Sequence, residues 1–279
     1  MNLLTRLIFN PNIKALIFLW LVAAFIFFAI AAPMWRVESM LETPEKASGY
    51  ALFVCIIALG FFRVRKHLSM FSLVKAHWWF TAHTILGLLA LALYFLHVDT
   101  WWPQGGYVQL LAALMIAVTL TGLLGYVIEK VFPMRLTQQG SEILFSHIPE
   151  AVYQLRSEAE SLMLEANKNT GSDTLSRHYV ETLKWFFQKP RFIWSHIFGG
   201  RNADYWLSQQ FITANRYLDN IEKEYSAQLE KLARKKLDID FNYTVQGIMK
   251  IWLLLHVPLS AALIVMSLWH LLLVNIYLL

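Results

Sequence analysis

Residues Trp78 to Val98 read WWFTAHTILGLLALALYFLHV, an apolar stretch that has no acidic or basic residue other than one histidine near each end. A helix of about 20 apolar residues is long enough to cross the hydrocarbon core of a bilayer. Residues Ile251 to Leu279, which read IWLLLHVPLSAALIVMSLWHLLLVNIYLL, have the same character. These two stretches predict membrane-spanning helices, and they carry the histidines on which the functional interpretation depends.

The composition of the whole chain agrees with that prediction, because 57% of its 279 residues are hydrophobic and only 15% are charged. Soluble domains of this length carry more charge. The sequence therefore predicts an all-α integral membrane protein in contact with membrane lipid. We expect five transmembrane helices, at residues 15–32, 47–62, 78–98, 107–128 and 251–279.

The distribution of charge predicts how these spans are oriented. The connection between the second and third spans contains four basic residues and no acidic one, and connections of this kind stay in the cytoplasm. We therefore expect a cytoplasmic N-terminus and a periplasmic C-terminus in a bacterial inner membrane. A cleaved signal peptide is the alternative for the first span, but its apolar run exceeds the roughly 7 to 15 residues of such a peptide.

Residues 129–247 form the one substantial polar segment, with 15 basic and 15 acidic residues. Glycine and proline residues divide it into three predicted helices, at about 138–168, 173–188 and 202–236. It contains no glycine-rich nucleotide motif, so we expect no flavin or nicotinamide fold in this chain. The predicted organisation is four spans over residues 1–128, a cytoplasmic helical insertion over 129–247, and a fifth span over 248–279.

Two classes of function are excluded by composition. The single cysteine, Cys55, excludes an intrachain disulfide, a cysteine-rich iron–sulfur site and a zinc ribbon. The net charge of +5 is explained by basic residues beside the spans. No basic stripe is interleaved with aromatic residues, so we expect no nucleic-acid partner.

The histidines of the third and fifth spans share one spacing. His83 and His97 are fourteen residues apart, and so are His256 and His270. Fourteen helical steps of about 100° come within about 40° of whole turns, so both histidines of a span face the same way, about 21 Å apart. One return span separates the two, which makes them parallel. His83 is then level with His256, and His97 with His270.

Two histidines that face each other at one depth can ligate one haem iron from opposite sides. The spacing therefore predicts two haem b groups, an inner one held by His83 and His256 and an outer one held by His97 and His270. Gly87, one turn after His83, would let a macrocycle approach the backbone. The alternatives are interhelical hydrogen bonds and a metal or proton pathway. For such a pathway the spans supply no carboxylate and few polar partners, namely Thr84, Ser260, Ser267 and Asn275.

Three residues near the predicted cytoplasmic side are candidates for contacts with the propionates or pocket of the inner haem. They are Arg63, Lys75 and His77, although the positive-inside rule explains the same residues equally well. The remaining histidines lie in polar or amphipathic sequence, where a surface or core role is the default. Pro258 is expected to kink the fifth span.

The stretch His83-x-x-Leu86-Gly87 closed by His97, and the stretch His256-Val257-Pro258-Leu259 closed by His270, resemble one known family. It is the di-haem membrane core of the ferric reductase and NADPH oxidase superfamily and related bacterial b-type cytochromes. The resemblance covers the third to fifth spans. It implies that the four histidines hold two b haems that carry electrons across the membrane. Reductases of that superfamily continue into a flavin and nicotinamide domain, whereas nine residues follow His270 here.

The sequence therefore predicts an electron-transfer subunit of a membrane oxidoreductase complex rather than a complete enzyme. The expected partners are a cytoplasmic flavoprotein or iron–sulfur subunit, which would dock on residues 129–247, and a periplasmic c-type cytochrome or the quinone pool. The periplasmic partner is expected near Trp101 and Trp102. A quinone-reacting cytochrome b and a histidine-lined metal or proton transporter are the alternative functions.

Overall fold

The structure is a computed structural model, and it describes residues 11–37, 44–64, 76–98, 100, 102–139, 143–198 and 201–277. The regular elements of these residues are all helical, with no strand among them. The chain forms two compact units, which are considered separately. The first, the histidine unit, comprises residues 1–127 and 252–279, and the second, the polar unit, comprises residues 128–251.

Four helices and part of a fifth build the histidine unit. They are α1 (Pro11–Val37), α2 (Pro44–Gly60), α3 (Ala76–Val98), α4 (Gly106–Gln139) and the last part of α10 (Asn220–Tyr277). A 3₁₀ turn at Phe61–Val64 follows α2. Among the described residues, α3, α4 and α10 are long and apolar enough to cross a membrane, as the helices of an integral membrane protein are, whereas the apolar stretches of α1 and α2 are shorter.

The helices of this unit share one buried core. Ala90 and Leu93 of α3 are fully buried, and they belong to one cluster with Leu52 of α2, Ala112 of α4 and Leu263 of α10. Alanine at two of these positions lets the helices approach closely, as small residues do between membrane helices. The core therefore packs α3 and α10, the two helices that carry the four histidines, against each other and against α4.

The outward surface of the histidine unit is also apolar. Phe25 is 74% exposed and Leu254 is 75% exposed, and other large apolar side chains of α1, α4 and α10 are exposed as well. Extensive exposed apolar surface marks contact with a membrane or a partner. Contact with lipid is the physical reason why these side chains need not be buried within the protein.

The polar unit is a bundle of shorter helices and the first part of α10. They are α5 (Ile148–Thr170), α6 (Thr174–His178), α7 (Lys184–Gln188), α8 (Ile193–Phe198) and α9 (Asn202–Ala214), with a 3₁₀ turn at Phe145–His147 and a π turn at Tyr179–Leu183. Gly171 ends α5 with a φ of 68°, a conformation that suits glycine, and its N–H donates to the carbonyl of Asn167.

The core of the polar unit contains one buried ion pair. The Nζ of Lys236 lies 2.7 Å from Asp240 Oδ1, and both side chains are fully buried. Lys236 also donates to the carbonyl of Lys189, and Asp240 accepts the backbone N–H of Arg191. The pair thus satisfies the backbone of the segment before α8, where Phe192 has a φ of 58°. Buried charges need this kind of pairing.

The predicted helix over 202–236 is wrong in its boundaries. The structure ends α9 at Ala214 and begins α10 at Asn220. The new helix begins there because Asp219 accepts the N–H of Glu222 while Glu222 accepts the N–H of Asp219, which is a reciprocal cap. The helix then continues past residue 236 and past Pro258 to Tyr277, so the predicted boundary at 247 falls inside α10. In the predicted stretch 138–168, α5 begins only at Ile148.

Candidate functional site

The four histidines with the shared spacing lie in two pairs inside the histidine unit. Each pair contains one histidine of α3 and one of α10, because the two helices pack in one core and each carries its histidines on one face. We call His83 with His256 the cavity pair and His97 with His270 the edge pair. Their surroundings differ.

The cavity pair lines a partly open cavity of about 320 Å³. Side chains of α2, α3, α4 and α10 surround this space, and most of them are apolar. Gly87 and Gly122 also line it, from α3 and α4. A Cβ added to Gly87 would have no heavy-atom neighbour within 4 Å, so the backbone of α3 is open to the cavity one turn after His83.

His83 is held mainly by aromatic packing. The ring of Phe62 lies 4.5 Å from the ring of His83, centre to centre, at an angle of 47°. Phe62 packs edge-on against Phe80, which in turn stacks on Tyr126 of α4. Within the described residues, neither ring nitrogen of His83 has a hydrogen-bond partner.

His256 has a polar partner of its own. The hydroxyl of Thr121 in α4 lies 2.9 Å from His256 Nδ1. The indole of Trp252, one turn earlier in α10, stacks on the His256 ring at 5.5 Å and an angle of 17°. The indole N–H also donates to the carbonyl of Thr121, at 2.7 Å. Gly125 lies directly against this indole, and a methyl group there would overlap it.

The rings of the edge pair lie next to each other, edge to face. The centres of His97 and His270 are 6.5 Å apart, with the rings at 77° to each other. Two imidazoles that bind one metal at about 2 Å would have their centres roughly 6 Å apart. The observed separation is therefore close to that of two ligands of one metal ion.

Three residues support the edge pair. The hydroxyl of Ser48, which is fully buried in α2, lies 3.3 Å from His97 Nδ1. A Cβ added to Gly49 would lie 2.9 Å from His97 Cε1, so the ring packs on bare backbone. Tyr107 of α4 lies 6.1 Å from the ring of His270 and donates its hydroxyl to the carbonyl of Met266, at 2.6 Å.

The chemistry of both pairs is that of neutral nitrogen ligands. None of the residues that line the cavity is acidic, lysine or arginine. In the described part of the chain, no three side chains of His, Cys, Asp or Glu converge on a common point. A site that offers two imidazoles suits a metal whose remaining ligands come from a macrocycle, whereas zinc sites usually need three or four protein ligands.

The other predicted site residues have two outcomes. Gly87 lines the cavity, as described above. Lys75 and the side chains of Arg63 and His77 lie outside the residues that the structure describes, as does Trp101; their predicted roles stay predictions. Trp102 is half exposed. The polar span residues Thr84, Ser260 and Ser267 donate to carbonyls of their own helices.

Sequence reasoning missed the polar residues that do contact the histidines. Thr121 is 135 residues from His256, and Ser48 is 49 residues from His97. No local pattern connects them. The available signal is weak: each is a hydroxyl residue inside or beside an apolar stretch, close to a glycine that lets a ring approach.

Two histidines of the polar unit are accounted for by packing. Burial lowers the pKa of His178, and the nearby Glu181 partly opposes that shift. Burial also lowers the pKa of His196, with Asp204 opposing the shift and Lys236 adding to it. His147 is exposed. These three fit the structural roles expected for histidines in amphipathic sequence.

Comparisons of the chain with protein-family models, with curated proteins and with solved structures found no match.

Proposed function

We propose that this chain is the di-haem b-type cytochrome subunit of a membrane oxidoreductase complex. His83 and His256 would be the axial ligands of an inner haem, and His97 and His270 those of an outer haem. The observation that carries the proposal is that both histidines of α3 lie beside a histidine of α10. Bound haem supplies one-electron transfer, which side chains alone do not.

The residues of the cavity pair fit a haem. The volume of about 320 Å³ lies in the range of cofactor sites, about 300–1,000 Å³. The lining is mostly apolar, which excludes water and so tunes a redox potential. Gly87 leaves the backbone open where a planar macrocycle would approach. His83 and His256, which belong to different helices, would hold the haem iron.

The residues of the edge pair fit a second haem through their ring separation. The 6.5 Å between the centres of His97 and His270 is close to the value for two imidazoles on one metal. Gly49 leaves room for the His97 ring to stand against α2. The resemblance to the di-haem core, drawn from the same four residues, supports the same assignment.

A histidine-lined transporter is less well supported. Polar and ionisable groups mark ion and proton pathways in membranes. The cavity lining offers two histidines, three hydroxyl residues and a tryptophan, without a carboxylate. The hydroxyls of Thr84, Thr119 and Ser260 donate their protons to carbonyls of their own helices, so these protons are already engaged and do not form a proton relay.

The proposal extends to topology and partners. The short apolar helices α1 and α2 would also cross the membrane, which makes five spans, with the N-terminus in the cytoplasm and the C-terminus in the periplasm of a bacterial inner membrane. A flavoprotein or iron–sulfur subunit would then dock on the polar unit. A c-type cytochrome or the quinone pool would exchange electrons near the outer haem.

The experiment that tests the function is a haem count on the purified full-length chain. A pyridine haemochrome assay is expected to find two b haems per chain in the wild type. Each of the four substitutions His83→Ala, His97→Ala, His256→Ala and His270→Ala removes one of two axial ligands, so each variant should retain about one haem.

The matched control is His147→Ala, which removes an exposed histidine of the polar unit and should leave the haem count unchanged. Redox titration tests which histidines hold the same haem. The haem that remains in His83→Ala should have the same midpoint potential as the one that remains in His256→Ala. A folded wild type without haem would contradict the proposal, and so would four variants that all keep both haems.

A further inference from the structure

The hydroxyl of Thr121 has three polar neighbours and a single proton to give. Its oxygen lies 2.8 Å from the carbonyl oxygen of Ala117, 3.0 Å from that of Val118, and 2.9 Å from His256 Nδ1. A hydroxyl can donate one hydrogen bond and accept others. Which neighbour receives the proton decides which nitrogen of His256 carries its own.

The carbonyl neighbours decide the question, because a carbonyl oxygen can only accept. If Thr121 donated to His256 Nδ1, its oxygen would face two carbonyl oxygens at hydrogen-bond distance with no proton between them. If it donates to a carbonyl instead, its oxygen accepts the N–H of His256 Nδ1, and at most one carbonyl contact is left without a proton rather than two. The second arrangement places the proton of neutral His256 on Nδ1 and leaves Nε2 with a free lone pair.

Trp252 fixes the same ring from another side. Its indole is nearly parallel to the imidazole, and its N–H donates to the backbone carbonyl of Thr121. Trp252 and His256 are one turn apart in α10, and Thr121 and Gly125 are one turn apart in α4. The indole therefore bridges α4 and α10 next to the ligand and limits rotation of the His256 ring.

We propose that Thr121 is a positioning residue that holds His256 in its Nδ1-protonated tautomer and so presents Nε2 to the metal. The role of Nε2 as a haem ligand rests on the proposed function, but the tautomer does not. His83, across the cavity, has no such partner in the described part of the chain. The two histidines of the cavity pair are therefore held differently. His256 of α10 has a hydrogen bond from its ring nitrogen, whereas His83 of α3 is held by aromatic packing.

The first test compares Thr121→Val, which removes the hydroxyl but keeps the shape, with Thr121→Ser, which keeps the hydroxyl. Second partners of metal-bound histidines are worth about 10- to 100-fold in metal affinity. We expect Thr121→Val to release one haem about 10- to 100-fold faster and to shift the midpoint potential of that haem to a more positive value, because the ligand loses its hydrogen-bond acceptor. Thr121→Ser should restore both properties.

The control variant is Ser267→Ala, which removes an α10 hydroxyl that donates to the carbonyl of Ile264 in its own helix. It should release both haems at the wild-type rate. If the wild type holds two haems and Thr121→Val matches it in release rate and in both potentials, the inference is wrong and the proposed function stands.

A second measurement separates the two hypotheses because it does not depend on bound haem. Nitrogen-15 spectra of the full-length chain with labelled histidine, reduced so that any haem iron is diamagnetic, distinguish the two tautomers. Comparison with His256→Gln identifies the His256 signal. A proton on Nδ1 supports the inference even in a wild type that contains no haem, where the proposed function would fail. A proton on Nε2 overturns it.

Discussion

The cavity pair and the edge pair use the same two helices and the same residue type, yet they are supported in different ways. His256 of the cavity pair is bonded through its ring nitrogen at 2.9 Å, and its partner His83 is held by aromatic packing. In the edge pair, the Ser48 contact to His97 is longer, at 3.3 Å, and a glycine backbone holds the ring in place. One spacing in the sequence therefore produces two histidine pairs with different surroundings.

The difference in hydrogen bonding would give two bound haems different midpoint potentials. Two haems with identical ligands would have similar potentials unless their surroundings differ, and hydrogen bonding to a ligand histidine is one of the ways a protein changes them. The strong Thr121 contact is at the cavity pair. A hydrogen bond donated by Nδ1–H makes the imidazole a more basic ligand, which lowers the midpoint potential of the iron it binds. We therefore expect the inner haem to have the lower midpoint potential of the two.

The largest expected effect comes from blocking each pair at its glycine. In Gly49→Ala the new methyl carbon would lie 2.9 Å from His97 Cε1, so the ring must move. In Gly87→Leu the new side chain would enter the cavity between His83 and His256. Each variant should lose a different haem and retain about one per chain, as measured by haem count and redox titration.

Gly49→Ala and Gly87→Leu should retain different haems, so the midpoint potential of the remaining haem should differ between the two variants. Gly106→Leu, at the start of α4 where an added Cβ has no neighbour within 4 Å, is the control and should keep both haems. If Gly49→Ala and Gly87→Leu lost the same haem, the assignment of one pair to each haem would be contradicted.

A smaller effect is expected from displacing Trp252, the indole that stacks on His256. Gly125→Ala would place a methyl group in the position of the Trp252 indole, which must then leave its stack on His256. We expect one haem to be released about 10-fold faster, with the outer haem unchanged. Release of haem to an excess of an apo-globin acceptor measures this.

Gly106→Ala is the matched control, because it adds the same methyl group to the same helix at a position where an added Cβ has no heavy-atom neighbour within 4 Å. It should release both haems at the wild-type rate. Equal release rates in the Gly125 and Gly106 variants would mean that Trp252 does not position the ligand.

The helices and the pairing of the histidines could be predicted from the sequence because both follow from local regularity. Apolar stretches of sufficient length predict α3, α4 and the end of α10, and a spacing of fourteen residues puts His83 and His97 on one helix face. The same reasoning predicted which histidine lies beside which. What the haem proposal adds to this geometry stays a prediction until haem is measured.

The rest could not be predicted because it depends on contacts between distant parts of the chain. Thr121 was absent from the polar residues singled out in the spans, and only packing of α4 on α10 brings its hydroxyl to His256. The break between α9 and α10 was missed because no glycine or proline marks it. It depends instead on the paired caps of Asp219 and Glu222.

The smallest expected effect is at the edge pair, in Tyr107→Phe. The Tyr107 hydroxyl donates to the carbonyl of Met266, which in an α-helix also accepts the N–H of residue 270. Loss of that bond should lower the free energy of unfolding by about 0.5–1.5 kcal/mol, measured by thermal unfolding in detergent. The hydroxyl contacts the helix backbone and not the ring of His270. Tyr107→Phe should therefore shift the midpoint potential of the outer haem less than Thr121→Val shifts that of the inner haem. An equal or larger shift would mean that both pairs are controlled by direct contacts.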